Sequence, residues 1–219
     1  MYVPRQFRES NPIFIRDFLQ RHAFATLVSS DNGIPVATHL LLETRELGDS
    51  PLVLSGHMSR ENPQWQHLDP EKDVLAIFQG PHSYVSAGWY TVKSAPTWNY
   101  ISVHVYGRPR LIDDRGELFA MLKRLVDSQE GKYQEASRYT VESLPDELLQ
   151  RMMNGIVGFQ ITVTRVEAAA KLSQNRSAQD FQTIIDKLKN EEAPGSLEIA
   201  QEMERRKGTT GYGNCSRNR

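Results

Sequence analysis

Two stretches of this chain, residues 100–111 and 155–166, alternate apolar and polar side chains along their whole length, a period that places a backbone in an extended strand. In the first, Ile101, Val103 and Val105 share one face, and Ser102, His104, Tyr106, Arg108 and Arg110 share the other. In the second, Val157, Phe159, Ile161 and Val163 oppose Gln160, Thr162 and Thr164. Strands this long need partners, and strand patterns at 24–29, 34–43, 52–55, 73–78 and 83–90 supply them. Asp31-Asn32-Gly33 joins the first two of these as a hairpin turn. Helical spacing marks the segment after Asn11-Pro12, where Ile13, Phe14, Phe18 and Leu19 share a face. It marks the segment after Asp114 as well, with Glu117 closing a capping box before Leu118, Met121, Leu122 and Leu125. Further helices are expected at 145–153 and 178–190. Roughly seven strands, with helices inserted late, fit a mainly β chain with helices, an α+β fold built on an antiparallel barrel rather than a doubly wound sheet.

At 219 residues the chain suffices for one domain, expected to span 1–190. Residues 191–219 lose apolar periodicity, and 205–219 carry five cations and no acid, so a disordered C-terminal tail is expected there. A net charge of −1 lacks the basic footprint of a nucleic-acid-binding domain. The single cysteine, Cys215, excludes an intrachain disulfide and fits a reducing compartment. Neither a membrane-length apolar run nor the apolar core of a signal peptide is present, so a cytoplasmic protein without a membrane span is expected. The six histidines lack the paired spacing of a metal site. The nucleophile elbow, the Walker loop and the dinucleotide-binding glycine motif are also absent, which removes those enzyme classes.

Chemistry concentrates in residues 56–65, GHMSRENPQW. A strand ending at Gly56, then Ser59, Arg60 and the helix-start pair Asn62-Pro63, would offer a hydroxyl, a guanidinium and backbone N–H groups to a phosphate. The same residues would also serve an ordinary strand-to-helix turn with Asn62 as N-cap and Arg60 solvated. Thr38 and His39 interrupt an aliphatic strand, either facing a ligand or as satisfied edge residues. Residues 79–82 look like a turn. With 79–100 and 171–177, these clusters could hold a flat ring stacked on Trp89, Trp98 or Tyr100 and a phosphate at Ser59, Arg60 and Arg176. Tryptophan and tyrosine at strand positions also serve as core or interface.

Four motifs in order, GHMSRENPQW, IFQGPHSYVSAGWY, PTWNY and KLSQNRS, resemble those of the PaiB-type family, FMN-binding split-barrel negative transcriptional regulators. The resemblance spans residues 1–189 and implies a split β-barrel that forms a homodimer with FMN at the subunit interface. Ser59-Arg60 is similar to the phosphate grip of the wider split-barrel flavoproteins. By the same resemblance Thr38, His39 and Leu40 would flank the isoalloxazine, and Gln174 and Arg176 would close the site. Gly56, His57, Asn62, Gln79 and Trp98 complete the cofactor-binding set. The family implies regulation of transcription; the alternative is a flavin-dependent oxidoreductase of a small substrate, with His82 and Tyr84 as proton-handling candidates. A plain FMN carrier, or a fold that has lost its cofactor, is a third reading. The balanced charge argues against strong direct contact with DNA.

Overall fold

The alternating stretches become the two longest strands of a computed structural model that describes residues 1–45, 51–132 and 139–208. In chain order the elements are β1 (Arg8–Glu9), α1 (Pro12–Arg21), β2 (Phe24–Asp31), β3 (Ile34–Leu41), β4 (Glu43–Arg45), β5 (Val53–Ser59), β6 (Val74–Val85), β7 (Thr97–Ile112), α2 (Arg115–Glu130), α3 (Asp146–Asn154), β8 (Ile156–Lys171), α4 (Ala178–Lys189) and α5 (Ser196–Arg205). Among the described residues the strands make one sheet in the order β3-β2-β6-β7-β8-β5-β4, with β1 beside β8. β2 pairs antiparallel with β3 and β6, and β5 with β4 and β8.

Local chemistry shapes the elements that sequence alone locates. Asn32 (φ 48°) and Gly33 (φ 88°) both take the left-handed conformation that a two-residue hairpin turn needs. Asn11 caps α1, its Oδ1 accepting from the N–H groups of Ile13 at 3.0 Å and Phe14 at 3.3 Å. Asp114 caps α2 through Glu117 N–H at 2.7 Å. The expected reciprocal bond from Glu117 gives way to tertiary partners: its carboxylate pairs with Arg110 at 2.5 Å and accepts from Gln160 Nε2 at 3.1 Å. On the polar face of β7, Arg108 pairs with Asp73 at 2.8 Å and the Arg165 guanidinium lies 3.8 Å from the centre of the Tyr106 ring, while His104 Nδ1 is buried without a partner among the described residues.

Three expectations about the strands need correction. β5 does not end at Gly56 but runs on to Ser59, because Gly56 pairs with Phe159 and its Cα passes close to core atoms. A Cβ there would stand 2.9 Å from Leu42 Cδ2 and 3.3 Å from Phe159 Cζ. Nor is there a turn at 79–82. β6 is continuous, Gly80 is required by the Phe18 ring, 2.6 Å from where its Cβ would be, and Pro81 lies beyond the β2 pairing at 75–77. β6 then stops at Val85, and Ala87–Trp89 forms a 3-10 turn rather than more strand.

The expected disordered tail instead contains α5. Ile199, Ala200 and Met203 of α5 are fully buried, α5 lies against α4, and Arg206 pairs with Glu202 at 2.6 Å and Glu9 at 2.7 Å. Burying Ile199 and Met203 contributes about 1.5–3 kcal/mol each. Cys215 and the basic stretch beyond 208 lie outside the described residues.

The chain divides into two compact units. One comprises Met1–Phe18, Gln79–His104 and Glu167–Arg219, and the other Leu19–Phe78 and Val105–Val166; β6, β7 and β8 contribute residues to both. In the second unit Ile112, Leu118, Met121, Leu125 and Met153 form a cluster over Gly158, whose Cβ would stand 2.6 Å from Leu118 Cδ1. In the first unit the fully buried residues include Phe181, Ile184, Ile185 and Leu188 of α4 beside the α5 residues just named. Ala168-Ala169-Ala170, all buried, extend β8 past the alternating stretch. No helix among the described residues is long and apolar enough to cross a membrane.

Candidate functional site

In the second unit the expected site residues sit on β3, on β5 and at the start of a five-residue 3-10 helix, Pro63–His67. Asn62 caps that helix through Gln64 N–H at 3.0 Å, and its Nδ2 donates to Thr38 Oγ1 at 2.8 Å. Gln64 is fully buried, with Nε2 at 3.1 Å from Leu27 O, Ser29 Oγ and Val36 O, so its amide ties the 3-10 helix to the β2–β3 hairpin. Gln64 Oε1 is buried without a partner among the described residues. Nothing in the sequence singles out this glutamine, because a polar residue after an Asn-Pro cap reads as surface.

Arg60 is anchored rather than loose. Its Nε donates to Asn154 O at 2.9 Å and its Nη2 to Ile156 O at 2.8 Å, while its own carbonyl accepts from Trp65 Nε1 at 3.0 Å. The backbone N–H groups expected to face a phosphate are engaged within the chain. Arg60 N bonds Gly155 O, Asn62 N bonds Ser59 O, and Glu61 N bonds Ser59 Oγ. A single 3-10 turn also lacks the aligned peptides of a helix terminus. An anion here would therefore meet the exposed side chains of Ser59 and Arg60 rather than a cradle of backbone N–H groups.

The neighbouring residues divide between surface and core. His39 is exposed, its Nδ1 2.9 Å from Thr26 Oγ1 and its ring 6.3 Å from Phe24, which is 71% exposed. Leu40 is buried. His57 is paired in register with Gly158, and its Nδ1 is buried without a partner among the described residues. Burial lowers its pKa and favours the neutral ring.

In the first unit, His82 and Tyr84 project from one face of β6 toward Trp98 of β7. The His82 and Trp98 rings lie 5.6 Å apart, and Tyr84 meets Trp98 edge-on at 5.9 Å. With Trp89, Glu191 and Pro194 they line a cavity of about 560 Å³. Gly195, at φ 82°, lets the α4–α5 loop lie on β6, since a Cβ would stand 2.7 Å from His82 O. The Ser83 and Ser196 hydroxyls bond at 2.8 Å below it.

The remaining expected residues have other neighbours. Arg176 stacks on Tyr90, 4.0 Å from its ring centre, and donates to Ser94 Oγ at 2.8 Å. Gln174 is buried and braces its own turn, donating to Ala170 O at 2.7 Å and accepting from Leu172 N–H at 2.8 Å. Gln79 is exposed on β6. Among the described residues no three histidine, cysteine or carboxylate side chains gather as a metal site requires.

Comparison with known proteins points to a flavin. Residues 1–165 match the family described as "Putative FMN-binding domain". The chain is 39% identical over 206 residues to "Protease synthase and sporulation protein PAI 2" of Bacillus subtilis (strain 168), covering 93% of this chain and 97% of that relative. Among solved structures, the flavocytochrome Anf3 from Azotobacter vinelandii has a TM-score of 0.57 at 15% identity, covering 77% of this chain and 72% of its own. Rv2991 from Mycobacterium tuberculosis has a TM-score of 0.55 at 14% identity, covering 78% and 91%. At these identities the likeness is one of fold, and it agrees with the α+β split barrel expected from sequence.

Proposed function

The chain belongs to the FMN-binding family that its first 165 residues match, a flavoprotein family, and on that premise we propose that it is a homodimeric FMN protein acting in negative regulation of transcription. The observation that carries the flavin site is the donor set of the second unit: the Thr38–Asn62 pair beside the exposed Ser59 and the doubly anchored Arg60. That set fits the group, since a phosphate needs hydroxyls and a guanidinium held in one orientation. Ser59 and Arg60 would take the phosphate. Thr38, His39 and Leu40 would lie along the ring, while Gly56, His57 and Asn62 shape the strand and turn behind them. Bound FMN supplies redox chemistry that no side chain here can.

The regulatory assignment rests on the sporulation protein of Bacillus subtilis, to which the chain is 39% identical. The net charge of −1, without the basic footprint of a nucleic-acid-binding domain, favours regulation through a partner over direct contact with DNA. Exposed Phe24 and Ile34, on the hairpin at the end of the sheet order, support self-association. A flavin-dependent oxidoreductase is the second reading, favoured by His82 and Tyr84 facing an open cavity in the first unit.

FMN titration followed by flavin fluorescence tests the site. Arg60→Ala is expected to weaken binding by about tenfold or more, while Arg60→Lys retains part of it, and urea unfolding of each variant separates a lost phosphate contact from a lost anchor. A wild-type protein that binds no FMN would overturn the proposal. Flavin reduction by NAD(P)H in steady turnover would favour the enzyme, and salt-sensitive binding to a promoter fragment would favour direct regulation.

A further inference from the structure

The cavity of the first unit is lined by rings, by Ser83, Ser86 and Ser196, by Ala193 and Pro194, and by one carboxylate. Tyr84, Trp89 and Trp98 present aromatic surface, His82 stands beside Trp98, and Glu191 is the one acidic or basic residue in the lining apart from that histidine. The Glu191 carboxylate has no ion-pair or hydrogen-bond partner among the described residues. Tyr84 and Trp98 are about half exposed, at 48% and 51%, and His82 beside them is exposed as well. Aromatic surface is left open here, with an unpaired negative charge at its rim.

This composition selects among ligands. An anion is disfavoured because neither lysine nor arginine lines the cavity and Glu191 would repel it. A metal ion would find one carboxylate and no second acidic ligand. A neutral flat molecule could stack on the rings but would leave the exposed Glu191 charge without a counterpart. A cation satisfies both features, since the faces of tryptophan and tyrosine attract positive charge and the carboxylate completes the pairing. A volume of about 560 Å³ admits a molecule of some size rather than a simple ion.

We propose that the cavity bounded by Tyr84, Trp89, Trp98 and Glu191 binds a small organic cation, a quaternary or protonated amine. The site needs the α4–α5 loop as a wall. Gly195 in its left-handed conformation seats that loop on the His82 backbone, and the Ser83–Ser196 bond holds it from beneath. The proposal uses none of the phosphate residues of the second unit, and it gives His82, Tyr84 and Trp98, which the flavin readings also claim, to a different ligand.

Two probes of equal shape test it: choline and its neutral carbon isostere 3,3-dimethylbutan-1-ol, titrated calorimetrically and by tryptophan fluorescence into the full chain, with and without FMN. Choline should bind saturably, with the isostere about fivefold weaker or more, the difference a cation–π site makes. Glu191→Gln should weaken choline by a similar factor and leave the isostere unchanged. Trp98→Ala should remove choline binding, and Trp98→Phe should restore part of it, which a folding defect would not. Equal affinity for the two probes, or no saturable choline binding at millimolar concentration, would overturn the proposal. So would one-for-one competition between FMN and choline, which would make the cavity the seat of the flavin ring. Failure to bind FMN alone leaves the cation site intact and counts only against the flavin reading.

Discussion

The two polar regions of this protein differ in residue type and in how much of their bonding capacity the fold takes up. Around Asn62 in the second unit, much of the polar capacity is engaged in the fold, Asn62 with Thr38, Gln64 with the β2–β3 hairpin and Arg60 with the carbonyls of Asn154 and Ile156, while Ser59 and Arg60 stay exposed. Around Trp98 in the first unit, half-exposed rings face a cavity and the Glu191 carboxylate lacks a partner. A cluster of polar residues in a sequence can therefore be architecture as readily as a site. What separates them is how much bonding capacity the fold leaves over.

Changing Gln64 should expose that difference most. Gln64→Ala leaves Leu27 O, Val36 O and Ser29 Oγ without their buried donor and opens a void, so a loss of about 2–3 kcal/mol is expected in urea unfolding. A loss below about 0.5 kcal/mol would mean that the second-unit cluster is not architectural. Arg60→Ala should cost less, about 1 kcal/mol, because its bonds to Asn154 and Ile156 are exposed. An unchanged midpoint in apo protein would make Arg60 a ligand group alone.

The pH dependence sharpens the comparison further. Burial lowers the pKa of His57, so the unfolded state takes up a proton that the folded state resists. Its contribution is present above the unfolded value near 6.5 and is lost as pH falls toward the folded one. Unfolding midpoints across that window should fall on the acid side, and His57→Leu should flatten the slope. The neutral rings of His22 and His104 are also favoured by burial, so some slope should remain. Trp98→Ala should have the smallest effect on stability, within about 0.5 kcal/mol, as expected of a half-exposed side chain. A larger loss would turn the cavity wall into core.

The elements that could be read in advance are those whose causes lie within a few residues. Asn11, Asp114 and Asn62 cap the helices they precede, and Asp31-Asn32-Gly33 turns a hairpin, because each bond closes over two or three residues. The continuity of β6 was hidden because Gly80 and Pro81 carry a turn signal, and only the Phe18 ring explains the glycine. The Ala168-Ala169-Ala170 run has no period to read. α5 is short and charged, and its Ile199 and Met203 show an apolar stripe only once α4 is there to receive it. The candidate site was legible as chemistry but not as arrangement. The motifs name residue types suited to a phosphate and a flat ring, yet Gly56 serves packing, Gln174 braces a turn, and Gln64 and Glu191 went unnoticed.

By itself the sequence determined the strand periods, the caps, the hairpin turn and the flavoprotein family, since these depend on local sterics and on motifs carried in order along the chain. The tertiary structure alone decided which polar groups are consumed in holding the fold and which remain for a ligand. Hydrogen-bond partners such as Gln64 and Leu27, or Arg60 and Asn154, lie far apart in the chain, and burial is a property of the packed molecule.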